Sequence, residues 1–247
     1  MQETKIIVFG GTGFVGTSVA KNLVSRGVNT VCVSRSGSRP AHLATNAPWA
    51  EQVQWETGDA TSPDHTLLKS ATVVLTLVGS PPLPTFTKRA WQQQLLMNSE
   101  PSIQVINAAQ QCGVPRVVLL GAHLPWLLHT DFFAYAKGKR LSFEAAQNFA
   151  NAAQTHVATV IQPSAIYGTR YTRSGKAINI ARVMRPLAKL QNALPAMINK
   201  FLPEPFVSVD AVAQCTVDAC LADQYPSKFS VIANAQIAGA NGTKSST

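Results

Sequence analysis

The sequence predicts an α/β protein built on a doubly wound parallel sheet, with helices on both faces and a small C-terminal substrate or lid region. Three observations carry that prediction. Short apolar runs alternate with helically spaced segments along the whole chain, the pattern of strands joined by crossover helices. The runs are apolar throughout, as in Thr72–Val78 (TVVLTLV), so they suit strands covered on both faces. The 247 residues, 46% of them hydrophobic, suffice for one compact core.

Taken in order, Lys5–Phe9 (KIIVF) is the first strand. Phe14–Arg26 is an amphipathic helix with Val15, Val19 and Leu23 on one face. Thr30–Ser34, the weaker Val53–Thr57 and Thr72–Val78 are the next three strands. Lys88–Gln111 reads as a long helix in which Pro101 marks a break or a new first turn. Arg116–Leu120 is the fifth strand, Asp131–Ala153 a helix, Val157–Ile161 the sixth strand and Phe229–Ile232 a seventh. One domain therefore spans residues 1–234, with 168–206 as the lid or substrate insertion. The small, polar stretch Ala235–Thr247 reads as a mobile tail.

Only 13% of residues are charged, yet the formal net charge is +9. A basic balance suits an anionic partner such as a nucleotide phosphate or an anionic lipid, and equally suits a general compartment bias. Nucleic acid is disfavoured, because the basic residues are not interleaved with aromatics on any one element. Cys32, Cys112, Cys215 and Cys220 have no CxxC spacing and no accompanying His cluster, which argues against a disulfide framework or a metal site. No apolar run approaches the roughly 20 residues of a spanning helix. Neither a secretory signal nor a conventional presequence is expected ahead of the first strand.

The first strand runs into Gly10-Gly11-Thr12-Gly13-Phe14-Val15-Gly16. Gly10 permits a tight exit from the strand, Gly13 lets backbone approach a pyrophosphate, and Gly16 lets the helix pack closely on the sheet. Phosphates then meet the free N–H groups at the helix start. A three-glycine match alone is weak. Placed after a first strand and opening an amphipathic helix, it is the phosphate turn of a Rossmann-type dinucleotide site. The second strand ends in Ser34-Arg35-Ser36-Gly37-Ser38-Arg39, with no carboxylate for a ribose 2′-hydroxyl. Ser34, Arg35, Ser36 and Arg39 instead suit a 2′-phosphate, so the cofactor is read as NADP(H). Asp59, beside Ala60 after the third strand, either accepts a bond from the adenine or caps the next helix.

These residues, together with Val78-Gly79-Ser80, Asn98, Tyr135-Ala136-Lys137-Gly138-Lys139, Gln162-Pro163-Ser164-Ala165-Ile166-Tyr167-Gly168 and Phe206–Ala213, resemble the extended or atypical branch of the short-chain dehydrogenase/reductase superfamily over nearly the whole chain. Two groups in that branch are most similar: the dinucleotide-binding accessory subunit of respiratory complex I, and a fungal mitochondrial accessory protein of coenzyme Q biosynthesis. The resemblance implies cofactor contacts at Thr12, Phe14, Val15, Asp59, Ala60, Val78, Gly79, Asn98, Pro163 and Ile166. It also implies a catalytic Tyr135 and Lys139, in which the lysine lowers the phenol pKa and binds the nicotinamide ribose. It further implies a mitochondrial setting at the matrix side of the inner membrane.

The chain departs from that pattern in one place that matters. Leu120-Gly121-Ala122-His123 follows the fifth strand where the superfamily carries a Ser, so no hydroxyl is available, and His123 stands as a substitute donor or as a structural residue. Gln162 also replaces an Arg often found before the proline. Two expectations follow: an accessory protein that keeps its nucleotide, or an NADPH-dependent reductase of a hydrophobic carbonyl or quinone. In residues 176–202, Arg182, Arg185 and Lys189 share one helical face while Met184, Leu187, Leu190 and Leu194 share another. That segment reads as a lid or as a contact for an anionic membrane or membrane-bound protein complex.

Overall fold

The protein, seen in a computed structural model, is described over residues 4–45, 47–125, 128–172, 174–180, 182, 204, 206–223 and 227–240. Its strands in chain order are β1 (Lys5–Phe9), β2 (Asn29–Ser34), β3 (Gln54–Thr57), β4 (Val73–Thr76), β5 (Arg116–Leu120) and β6 (Val157–Gln162). The short β7 (Ile166–Tyr167), β8 (Thr169–Tyr171), β9 (Ala177–Asn179) and β10 (Val207–Ser208) come next, and β11 (Phe229–Ala233) closes the series. Helices are α1 (Phe14–Ser25), α2 (His65–Leu68), α3 (Lys88–Gln111), α4 (Ala134–Ala152), α5 (Val209–Leu221) and α6 (Asn234–Ala240).

Seven strands form one sheet in the order β11-β6-β5-β4-β1-β2-β3, every pair parallel. The apolar runs of β1 and β4 are buried along nearly their whole length because both faces are covered. One core cluster joins α1 and α5 to one face through Val19, Leu23, Val212 and Val217. The other joins α3 and α4 to the opposite face through Val105, Ile106, Ala146 and Phe149. Chain order reverses between β1 and β4, and in such sheets a ligand lies across the strand ends at that reversal.

Three details depart from the sequence expectation. Pro101 does not break its helix, and α3 runs through it from Lys88 to Gln111. The proline removes one backbone donor, but Ser142 of α4 donates to the Asn98 carbonyl at 3.1 Å, just beside the gap. The stretch read as a tail from residue 235 begins as α6, where Ile237 and Asn234 are fully buried, so tertiary packing orders a segment whose composition is small and polar. The insertion at 168–206 contains the antiparallel β8–β9 pair, and β7 pairs with β10. His42 stacks on Tyr171 at 3.9 Å and ties that pair to the turn after β2.

Candidate functional site

The phosphate turn is shaped by how closely backbone passes backbone. Gly10 sits at φ 85°, a left-handed conformation, and its carbonyl accepts the Gly13 N–H at 2.9 Å. A Cβ on Gly16 would lie 2.1 Å from the Gly10 oxygen, and one on Gly11 would lie 2.4 Å from the Sγ of buried Cys32. At Gly13 a Cβ meets only the Gly10 oxygen, at 3.1 Å, and Gly13 itself is exposed at the helix start. Helix α1 begins there with no side-chain cap and no acidic residue in its first turn. Its first N–H groups are therefore free for an anion, and a dinucleotide pyrophosphate fits this cradle. The side chain of Val15 is buried in the core and Phe14 packs against it, so both would offer backbone to the nucleotide.

At the end of β2, Arg35 is exposed and Ser34 and Ser36 bring their hydroxyls within 3.4 Å of each other. Gly37 closes this turn at φ 61°, passing so near Thr57 that a Cβ would fall 2.0 Å from its hydroxyl oxygen. Arg39 corrects the expectation. Its guanidinium donates to the Ala44 carbonyl at 3.2 Å and lies 3.8 Å from Glu51, which leaves Arg35 as the exposed basic group of this turn, near enough to act on Asp59. Asp59 caps no helix: Asp64 caps α2 by accepting from the Thr66 N–H at 2.8 Å. Asp59 accepts the Thr61 N–H at 2.9 Å, and that bond, with Arg35 contributing less, holds its carboxyl below the usual range. Ala60 is half-buried beside it.

The far half of the cleft lies beyond β4 and β5. Buried Asn98 on α3 clamps the chain after β4, accepting the Ser80 N–H at 3.0 Å and donating to the Ser80 hydroxyl at 2.9 Å. Gln94, one turn earlier, donates to the Pro81 carbonyl at 2.7 Å. Val78 packs on the core, and Gly79 leaves a gap in which a Cβ would lie 3.0 Å from Asn98 Oδ1 and 3.3 Å from Lys139 Nζ. Asn98, Gly79 and Lys139 therefore meet.

The catalytic pair differs from expectation. Lys139 Nζ donates to the Leu120 carbonyl at 2.9 Å, and burial lowers its pKa to about 8. Burial instead pushes the Tyr135 phenol up to about 12, with no opposing pull from Lys139. Tyr135 lies one helical turn before Lys139, and no hydrogen bond to its hydroxyl is recorded among the described residues. Burial thus dominates the phenol in this cleft, and Tyr135 holds its proton at neutral pH. His123 turns to Glu204, Nε2 to Oε1 3.6 Å, and its backbone N–H donates to the Pro163 carbonyl at 2.7 Å.

Gly121, Ala122, Leu124, Lys139, Phe143 and Gln162 line a largely apolar cleft of about 180 Å³ next to this pair. The lip after β6 is fixed by buried Asn234, which accepts the Ser164 N–H at 2.8 Å, and Ile166 pairs in register with Val207. Asn234, Gln94, Gly11 and Gly37 were not assigned from sequence. Only the doubled glycine at 10 and 11 signalled any of them locally. For residues 176–202, positions 181, 183–203 and with them Met184, Arg185, Leu187, Lys189, Leu190 and Leu194 lie outside the described residues. Arg182 is exposed, its N–H on Asn179 Oδ1 at 3.1 Å.

Residues 6–216 match the NAD dependent epimerase/dehydratase family. A chloroplastic protein of Arabidopsis thaliana, described as uncharacterized, is 31% identical over 94% of this chain and 76% of its own length. MIOREX complex component 2 of Saccharomyces cerevisiae is 41% identical over 30% of this chain and 28% of its own. Among solved structures, an oxidoreductase of the short chain dehydrogenase/reductase family from Burkholderia thailandensis superposes with a TM-score of 0.66 at 16% identity, covering 97% of this chain and 94% of that one. Gre2 of Candida albicans in complex with NADPH also gives 0.66, at 17% identity, covering 93% and 78%.

Proposed function

The chain belongs to the NAD dependent epimerase/dehydratase family, and from that premise we propose that it is an NADP(H)-binding accessory protein associated with mitochondria, acting in quinone metabolism with its nucleotide held mainly as a structural element. The observation that carries this reading is the state of the catalytic half. Gly121 and Ala122 follow β5 where a hydroxyl would polarise a carbonyl, and the Lys139 ammonium is engaged by the Leu120 carbonyl. The intact phosphate turn beside it supports retained binding. The yeast relative supports the mitochondrial association.

Arg35, with the Ser34 and Ser36 hydroxyls, would receive a 2′-phosphate, and NADPH in the Gre2 structure agrees with such a choice within this fold. A bound reduced nicotinamide supplies a hydride. The chain's own contribution would be the phenolic proton of Tyr135, which at neutral pH is available to give and not to take.

That one-way proton and the apolar cleft beside Lys139 favour a second reading, a slow NADPH-dependent reductase of a hydrophobic carbonyl or quinone. Calorimetry tests the binding claim: Arg35→Ala weakens NADPH by about tenfold, the worth of one charge-assisted contact, and leaves NADH nearly unchanged. Equal loss for both nucleotides would overturn the assignment of Arg35. Steady NADPH consumption with a soluble quinone at ordinary enzyme rates would replace the accessory reading with the reductase.

A further inference from the structure

Two loops rise beside the catalytic half of the cleft, and both carry large apolar side chains into solvent. In the first, after β4, Phe86 is 93% exposed and Leu83 is 56% exposed. In the second, before α4, Phe132 is 92% exposed and Leu128 is 40% exposed. A phenylalanine left almost wholly in water contributes little to the fold, and two such rings with two exposed leucines on the loops of one sheet end are the kind of feature that marks an interaction surface.

The loops are anchored at their bases. Asn98 and Gln94 hold Ser80 and Pro81, so only residues 82–87 project. Trp91 Nε1, in the first turn of α3, donates to the Phe132 carbonyl at 2.7 Å, which ties the second loop to the helix that follows the first, and Lys137 sits 5.7 Å over the Trp91 ring. Each loop is thus held at its base while its aromatic side chain stands in solvent.

The charge around them is of one sign. Lys88 and Arg89 are exposed in the first turn of α3, immediately after Phe86, and residues 77–99 contain no acidic side chain. The one carboxylate of the second loop, Asp131, is paired with Arg140 and with Lys137 at 3.5 Å. A second copy of a chain with net charge +9 would bring Lys88 and Arg89 against their own kind.

We propose that the tips of these two loops, Leu83 and Phe86 with Leu128 and Phe132, insert into the interfacial layer of an anionic lipid bilayer while Lys88 and Arg89 meet its headgroups. Aromatic and aliphatic tips below a basic rim are the arrangement that holds a protein on such a surface without crossing it. The contact orients the cleft of Lys139 and Phe143 toward the membrane. It does not depend on which nucleotide is bound or on turnover.

Vesicle flotation with the full chain tests this. Wild type floats with phosphatidylcholine vesicles containing phosphatidylglycerol and stays behind with phosphatidylcholine alone. The Phe86→Ser/Phe132→Ser variant loses at least about tenfold in partitioning, since each buried phenylalanine is worth that much. Lys88→Gln/Arg89→Gln loses the preference for anionic lipid. Both variants keep the wild-type Tm, because the side chains removed stand in solvent. Wild type left in the soluble fraction with both vesicles overturns the proposal. So does unchanged partitioning of the phenylalanine variant, whether it weakens NADPH binding (a lid) or changes the sedimentation of the free protein (a self-contact).

Discussion

The two halves of the cleft are built on different principles. Around β1, β2 and α1 the geometry is made of backbone: Gly16 passes within 2.1 Å of the Gly10 oxygen once a Cβ is imagined there, and Gly37 within 2.0 Å of the Thr57 hydroxyl. Around β4, β5 and α4 it is made of side chains: Asn98 comes from α3 and Tyr135 and Lys139 from α4, with His123 on the loop after β5. A backbone site cannot be altered without disturbing the core that shares it. A side-chain site can lose one hydroxyl, as at Gly121-Ala122, and leave the fold intact. Nucleotide binding and chemistry thereby rest on different parts of the molecule, and a substitution in one half need not disturb the other.

The comparison breaks most violently at Gly16. Gly16→Val places a branched side chain where Gly10 and Gly11 backbone already lie, and it should cost more than about 4 kcal/mol of stability, enough to deplete the folded protein. Urea unfolding and soluble yield measure this. A wild-type midpoint would show that α1 can move off the turn, and that the backbone half is not rigid.

Gly13→Val is the sharper instrument, since a Cβ there meets only one oxygen at 3.1 Å. The variant stays folded, with a far smaller drop in midpoint than Gly16→Val, and loses at least about a hundredfold in NADPH affinity because the side chain occupies the approach to the pyrophosphate. Retained affinity by calorimetry would make this glycine structural only.

In the side-chain half, Lys139 reports through pH. Its pKa is about 8 when folded, against 10.5 ordinarily, so between those values the unfolded chain holds more protons than the native one. This group's contribution to stability therefore rises with pH across that window and is flat and lowest below about 8. Subtracting the urea stability of Lys139→Met from that of wild type should give a difference that climbs from pH 8 to 10.5. A flat difference would mean the ammonium is better solvated than its burial indicates.

The smallest effect belongs to Tyr135→Phe. Its hydroxyl has no recorded bond among the described residues, while the ring keeps its tilted contact with Phe133 at 6.0 Å. Stability should shift by less than about 0.5 kcal/mol and NADPH affinity should not move. If complementation in cells fails while abundance stays normal, the phenolic proton is in use, and the two halves of the cleft are less separable than their construction suggests.

Much of this was legible in the sequence because it depends on local periodicity. Uninterrupted apolar runs such as Lys5–Phe9 mark strands covered on both faces, and glycines at 10, 13 and 16 mark the tight turn into α1, with Gly16 the position that leaves no room for a Cβ. Asn98 and Gly79 are singled out only through the family resemblance, and the structure brings them beside Lys139. Tertiary structure decided what those residues are doing. Whether Arg39 faces a phosphate or the Ala44 carbonyl, and whether Lys139 lowers the Tyr135 phenol or donates to Leu120, depends on atoms 5 and 19 residues away. Pro101 passes unbroken through α3 within the α3–α4 packing, and residues 235–240 could be ordered because Ile237 finds the core. Periodicity records which face of an element is buried. The partner of a buried polar group is set by packing between elements far apart in sequence, and no local pattern encodes it.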